Sequence, residues 1–146
     1  MTPKGKPVAT WNELNNPEKN VVVQKGSTMQ IVAEALLPKA TITPVEDRGQ
    51  ALMELQAGRA DAVVLAVFDA LQITNQDIGD VSLPEPILRN PATLAVARKP
   101  GNAGFINFLT NWVQQERSLG LAQGKLARAW EARGIDLSIL PEGFSF

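Results

Sequence analysis

The feature that most constrains the fold is a run of three valines, Val21 to Val23, followed almost directly by a glycine turn. A continuous β-branched run is typical of a strand that is buried on both faces. After Gly26-Ser27-Thr28, apolar residues recur at helical spacing from Met29 to Leu36. A buried strand that passes through a tight turn into a helix is a building unit of parallel sheets. The sequence therefore predicts an α/β fold.

The rest of the chain repeats this alternation of strand and helix. A short helix is predicted after Thr10, because Thr10 and Glu13 have the spacing of a capping box. Another is predicted between Asp47, a suitable N-cap, and Gly58, a suitable stop. Further strands are predicted over 40–45, 62–66, 81–83 and 93–97, and further helices over 67–75, 105–113 and 121–130. This order favours three layers, in which helices cover both faces of a mostly parallel sheet and two helices close the chain.

The composition excludes several kinds of chemistry. The 146 residues include no cysteine and no histidine, which removes thiol nucleophiles, thiolate zinc sites and imidazole bases. The net charge is −1, with 14 basic and 15 acidic residues, and no basic stripe is present, so nucleic acid is not expected as a partner. The longest apolar stretch, 60–71, contains two aspartates and is too short to span a bilayer. The sequence indicates no cofactor, and no metal site.

The segment Lys25-Gly26-Ser27-Thr28 is the strongest candidate for a binding site. A glycine turn between a buried strand and a helix start directs backbone N–H groups to one point, where the helix dipole favours an anion. Ser27 and Thr28 add hydroxyl donors, and Lys25 adds positive charge. In open α/β sheets, ligands bind at the carboxyl ends of the strands, where this turn lies. The simpler interpretation is that Ser27 only caps the helix.

Asp61 and Asp69 flank the third predicted strand and are the other candidates. They could act as acids or bases, but such residues more often cap helices or face solvent. Trp112 and Trp130 occur at helical spacing among apolar residues, which favours positions in the core over stacking on a ligand.

Taken in order, these segments resemble the solute-binding proteins of amino-acid ABC transporters, family 3, which have the type II periplasmic binding fold. The resemblance covers most of residues 10–133. The matching motifs are Trp11-Asn12-Glu13-Leu14, the run from Val21 to Thr28, the run from Ala51 to Ala62 with its Gly-Arg-Ala-Asp-Ala ending, the run from Thr93 to Lys99, and the closing helices from Phe108 to Trp130.

The resemblance implies a division of the chain into parts of a two-lobed protein. Residues 1–9 would be a flexible lead-in, 10–90 the second, ligand-binding lobe, and 91–146 a returning strand and helices that belong to an incomplete first lobe. A half-cleft is expected to bind weakly, because it cannot enclose a ligand. Its uncovered apolar surface implies a homodimer or a domain-swapped assembly. The family further implies a periplasmic location and an ABC permease as partner, although residues 1–6 are not typical of a signal peptide.

At one position the sequence departs from the family that it resembles, in a way that changes the chemistry of the site. The family places an aspartate, which pairs with the ligand's α-ammonium, where this chain has Ala66. Asp69 lies about one helical turn further on and is the remaining candidate for that role. The carboxylate-binding half thus carries over to Gly26, Ser27 and Thr28, and the solute is expected to be amino-acid-like or a carboxylate without an amine.

Three functional hypotheses follow from the sequence. The first is a solute-binding module that is not an enzyme and binds at Lys25, Gly26, Ser27, Thr28 and Asp69. The second is an interaction or remnant module that binds no solute. The third is an enzyme similar to cyclohexadienyl dehydratase, with Asp61, Asp69 or Glu46 as its acids, although none has a partner visible in the sequence.

Overall fold

The computed structural model describes residues 1–73, 77–89, 93–135, 137–138 and 140. The chain divides into two compact units, Met1–Arg89 and Asn90–Phe146. The lobe boundary predicted near residue 90 lies outside the described residues, and the assignment of the units to lobes remains a prediction.

The first unit is built on a parallel sheet whose described strands have the order β2-β1-β3. The central strand β1, Asn20–Gln24, pairs with β2, Thr41–Val45, and with β3, Ala62–Val63. The three valines of β1 are 0% exposed. The predicted strand is therefore confirmed, and its burial on both faces explains why it lacks an alternating polar pattern.

Helices cover both faces of this sheet. Val21 and Val23 pack with Ala33 and Leu37, which lie in and directly after α1, Thr28–Leu36. The intervening Val22 points to the opposite face and packs in a second cluster with residues of α2, Arg48–Gln56. This second cluster also includes Ala70 of α3, Val67–Ile73. The three-layer α/β architecture predicted from the sequence is confirmed.

Local side chains set the ends of these helices. The Ser27 hydroxyl accepts a hydrogen bond from the Gln30 amide at 3.2 Å, and the Asp47 carboxylate accepts one from the Gln50 amide at 2.9 Å. Each satisfies an amide that has no partner within its own helix. After α2, Gly58 adopts a left-handed φ of 69°, which a residue with a side chain rarely adopts.

The start of the chain differs from expectation. Residues 1–9 are not simply a flexible lead-in, because Met1 lies in the core and Thr2 is 2% exposed. The Met1 carbonyl accepts a hydrogen bond from the Val63 amide at 2.8 Å, and Thr2 exchanges two backbone hydrogen bonds with Asp80. The first two residues thus extend the paired region beyond β3. The short helix predicted after Thr10 is present as a 3₁₀ helix, Trp11–Glu13.

Two predicted strands of this unit are shorter or absent. The third strand was expected to reach Ala66 but ends at Val63. Val64 still donates to the Val22 carbonyl at 3.1 Å, but the Ala66 carbonyl accepts a helical hydrogen bond from Ala70 at 3.1 Å, so the chain has entered α3 by that residue. Residues 81–83 form no strand. The pairing of Thr2 with Asp80 is an isolated antiparallel bridge.

The second unit contains two helices in its described part. They are α4, Ala103–Ser118, and α5, Leu121–Glu131, and they pack against each other. Between them, Gly120 has a left-handed φ of 66°. Residues 93–97 were predicted as a strand but do not form one. The described part of this unit contains no other strand with which they could pair. Among the residues that the structure describes, no helix is long and apolar enough to cross a membrane.

Candidate functional site

A cavity of about 210 Å³ opens at the carboxyl ends of β1 and β3, in the first unit. Open α/β sheets bind ligands at this edge, because the turns between strands and helices leave a crevice there. The turn before α1, the start of α2 and the segment from β3 into α3 all contribute to its wall. The lining residues are Gln24, Ser27, Thr28, Met29, Arg48, Val64, Leu65, Ala66 and Asp69.

The turn from β1 into α1 supplies the polar donors of the cavity. Gly26 has a left-handed φ of 70°, which explains the glycine at this position. Contrary to the idea of a free amide, its N–H donates to the Gln30 side chain at 2.8 Å. Within the described residues, the next amides without a hydrogen-bond partner are those of Thr28 and Met29. They lie in the first turn of α1, where the helix dipole favours negative charge.

Arg48 and Asp69 form an ion pair in the cavity wall. Arg48 is the first residue of α2 and Asp69 lies in the first turn of α3, and their side chains meet with Nη1 and Oδ1 2.8 Å apart. The side chains are 43% and 30% exposed, so the pair is accessible from solvent. Asp69 is the one acidic residue among those that line the cavity.

Part of the wall is apolar. Val64, Leu65 and Ala66 continue from β3 toward α3 and line the cavity together with Met29. The family that the sequence resembles has an aspartate at the position of Ala66. In this chain the structure places Ala66 in the cavity wall. The cavity therefore combines amide donors and one ion pair with an apolar surface.

Lys25 lies outside the residues that line this cavity. Its ammonium group is 2.9 Å from a carboxylate oxygen of Glu46, and this hydrogen bond, helped by the charge of Glu46, raises the pKa of Lys25 above its ordinary value. Gly26 is also not a lining residue. Of the residues predicted for the site, the structure brings together Ser27, Thr28 and Asp69.

Asp61 is held away from the cavity by structural contacts. Its carboxylate accepts hydrogen bonds from the Lys19 ammonium and from the Asn20 amide, both at 2.9 Å. Burial alone would raise the pKa of Asp61, but the Asn20 amide and then Lys19 outweigh it and lower that pKa. Glu46 and Asp69 have basic partners as well. In the described part of the chain, no group of acidic side chains is arranged to hold a metal ion.

Arg48 is the charged residue of the cavity lining that sequence reasoning missed. In the sequence, only its neighbour Asp47 was given a role, as an N-cap, and Arg48 was assigned to no site. The signal was present, because the carboxyl ends of parallel strands meet at the same edge, and Arg48 begins the helix after β2. That Asp69 would face it could not be read from the sequence.

Comparison with known proteins gives a consistent result for the fold. No protein-family model matches the chain, and no curated protein matches it. Among solved structures, an ancestral cationic amino acid solute-binding protein is 28% identical with a TM-score of 0.58, covering 86% of this chain and 53% of its own. An amino acid ABC transporter substrate-binding protein from Streptococcus pneumoniae, bound to L-arginine, is 25% identical with a TM-score of 0.60, covering 86% and 50%.

An ancestral cyclohexadienyl dehydratase is also similar, at 24% identity and a TM-score of 0.51, covering 85% of this chain and 50% of its own. At that identity the similarity shows the fold alone. The chain spans about half the length of the structures it matches. The resemblance predicted from the sequence is thereby confirmed.

Proposed function

The chain shares the type II fold of the solute-binding proteins of amino-acid ABC transporters, and from this premise we propose that it binds a small amino-acid-like or carboxylate solute. The observation that carries the proposal is the cavity at the start of α1, where the amides of Thr28 and Met29 have no hydrogen-bond partner among the described residues. Donors at a helix N-terminus favour an anion.

A solute carboxylate would accept hydrogen bonds from these two amides and from the Thr28 hydroxyl. The Ser27 hydroxyl has a single hydrogen, which it donates to the Gln24 carbonyl at 2.6 Å, so Thr28 is the hydroxyl donor of the proposed site. The apolar wall formed by Val64, Leu65 and Ala66 would contact the rest of the solute. Lys25, which pairs with Glu46, would add to the positive electrostatic potential of the site without contacting the solute.

The affinity is expected to be low. Cavities that enclose small ligands usually measure about 300–1,000 Å³, and this cavity is about 210 Å³ and open to solvent. The proposed solute would therefore be covered on one side by this lobe. A dissociation constant in the micromolar to millimolar range is expected, roughly 4–8 kcal/mol of binding free energy.

The test is a thermal-shift screen of the standard L-amino acids and a set of short organic carboxylates, followed by titration calorimetry. A compound that binds the native state alone should raise the melting temperature, because it stabilises that state by RT ln(1 + c/Kd), where c is its free concentration. Thr28→Val keeps the shape of the side chain and removes the hydroxyl, and should weaken binding about tenfold. Thr110→Val, on α4, is the matched control. A panel without any stabilising compound would refute the proposal.

We also propose that the chain catalyses no reaction. The dehydratase-like alternative requires an acid at the cavity, and of the three candidates Asp61 and Glu46 are engaged by lysines outside the cavity lining. Turnover of a cyclohexadienyl substrate that is lost in Asp69→Asn would favour the enzyme instead.

Self-association is the second part of the proposal. The helices α4 and α5 carry exposed large apolar side chains, among them Phe105, Phe108, Trp112 and Leu121, and such surface favours contact with a second copy of the chain. Sedimentation velocity should show a dimer that Phe108→Ser weakens. If the chain is a monomer at all concentrations, the proposed self-association is wrong. The periplasmic location and an ABC permease partner, both implied by the family, complete the proposal.

A further inference from the structure

The ion pair between Arg48 and Asp69 leaves the two charged residues of the cavity wall with different capacities for a solute. The distance of 2.8 Å between Nη1 and Oδ1 uses one edge of the guanidinium group. A guanidinium carries five N–H donors in a planar fork, and no further polar contact of the Arg48 side chain is found among the described residues. Donors of Arg48 therefore remain for an anion in the same cavity.

Asp69 offers a cation little net charge. It is the single acid among the lining residues, and its charge is balanced by that of Arg48, which pairs with its Oδ1. A solute ammonium that approached Asp69 would therefore meet the positive charge of the same arginine. At Ala66, the wall offers a methyl group, and the nearby first turn of α1 favours negative charge.

We propose that the cavity selects carboxylates that lack an α-ammonium group, with Arg48 as the specificity-determining residue that receives the carboxylate. The inference rests on the proposed function, since it names the solute class of the same site. The Thr28 and Met29 amides and the Arg48 guanidinium supply donors around one anion, while Asp69 keeps the arginine from being an unpaired charge in the empty site. The apolar wall then favours an aliphatic tail.

Three matched compounds test this on the unmodified chain: L-leucine, 4-methylpentanoate, which lacks the amine, and 3-methylbutylamine, which lacks the carboxylate. Titration calorimetry should show that 4-methylpentanoate binds at least as tightly as L-leucine, and that the amine binds at least about tenfold more weakly. If removing the amino group weakens binding tenfold, the inference is overturned. If another amino acid binds best in the screen, the corresponding three compounds replace the leucine set.

Two variants assign the selectivity to the ion pair. Arg48→Gln should weaken 4-methylpentanoate binding about tenfold or more, since a hydrogen bond between charged groups is lost. Arg59→Gln is the control, because Arg59 lies just after α2, pairs with Glu54 and does not line the cavity; it should change Kd less than about twofold. Asp69→Asn should leave carboxylate binding unchanged or tighter, since it removes a negative charge.

The outcomes separate this inference from the proposed function. If no compound of the set or of the wider screen binds the unmodified chain, the proposed function fails and the inference with it. If carboxylates bind but Arg48→Gln equals Arg59→Gln, the inference alone fails. A tenfold loss of L-leucine binding in Asp69→Asn would show that Asp69 receives the ammonium, and would also overturn it. Should Arg48→Gln not fold, the comparison of the three compounds on the unmodified chain decides.

Discussion

Gly79→Ala is expected to destabilise the first unit through a single backbone contact. A Cβ atom at this position would lie 2.4 Å from the carbonyl oxygen of Thr2 and 3.2 Å from a methyl group of Leu55. The first distance is roughly 1 Å shorter than an ordinary non-bonded contact of about 3.5 Å. The φ of Gly79 is not positive, so the cost would come from the contact and not from backbone strain.

The Thr2 carbonyl cannot move away from Gly79 without weakening its backbone pairing with Asp80. It accepts the Asp80 amide at 2.9 Å, and the Thr2 amide donates to the Asp80 carbonyl at 3.0 Å. Relieving the clash would stretch or break this pair of hydrogen bonds, each worth about 1 kcal/mol. The expected cost is about 2 kcal/mol, within the range for overpacking. For a unit of this size, that lowers the melting temperature by about 10 °C.

Urea unfolding followed by far-UV circular dichroism measures the effect. Gly124→Ala is the control, because it lies within α5 and a Cβ there meets nothing within 4 Å. Alanine is the better helix former, so this variant should gain up to about 1 kcal/mol. If Gly79→Ala unfolds within about 0.5 kcal/mol of the unmodified chain, the close approach of Thr2 to Gly79 is wrong.

Three further predictions concern stability. Leu37→Ala removes a side chain that is 0% exposed and should cost about 2–5 kcal/mol in urea unfolding, whereas Ile31→Ala, 68% exposed on α1, should cost about 0.5 kcal/mol or less. Asp47→Ala removes the cap of α2 and should cost about 1 kcal/mol, while Asp47→Asn should cost little. In a chain whose first residue is Met1, burial lowers the pKa of its amino group from 8.0 to about 6, so the unfolded state binds the proton more tightly. Stability should then fall, by on the order of 2–3 kcal/mol, as the pH decreases from above 8 to below 6; a pH-independent melting temperature over that window would contradict this.

Local patterns accounted for the helices and for the central strand. The valine run predicted a strand buried on both faces, and β1 has that burial at all three valines. The N-caps Ser27 and Asp47 and the stop at Gly58 act on amides and carbonyls within a few residues along the chain. Because these contacts are set by neighbours in sequence, they can be read before any packing is known.

The sequence by itself thus determined the α/β class, the order of strand and helix through the first unit, and the presence of hydroxyl donors at the start of α1. The tertiary structure alone decided that Arg48 faces Asp69, that Gly79 lies against Thr2, and that Met1 enters the core. The physical reason is that each of these contacts joins residues far apart in the chain. Their distance depends on how the helices pack over the sheet, which no local pattern of residues records.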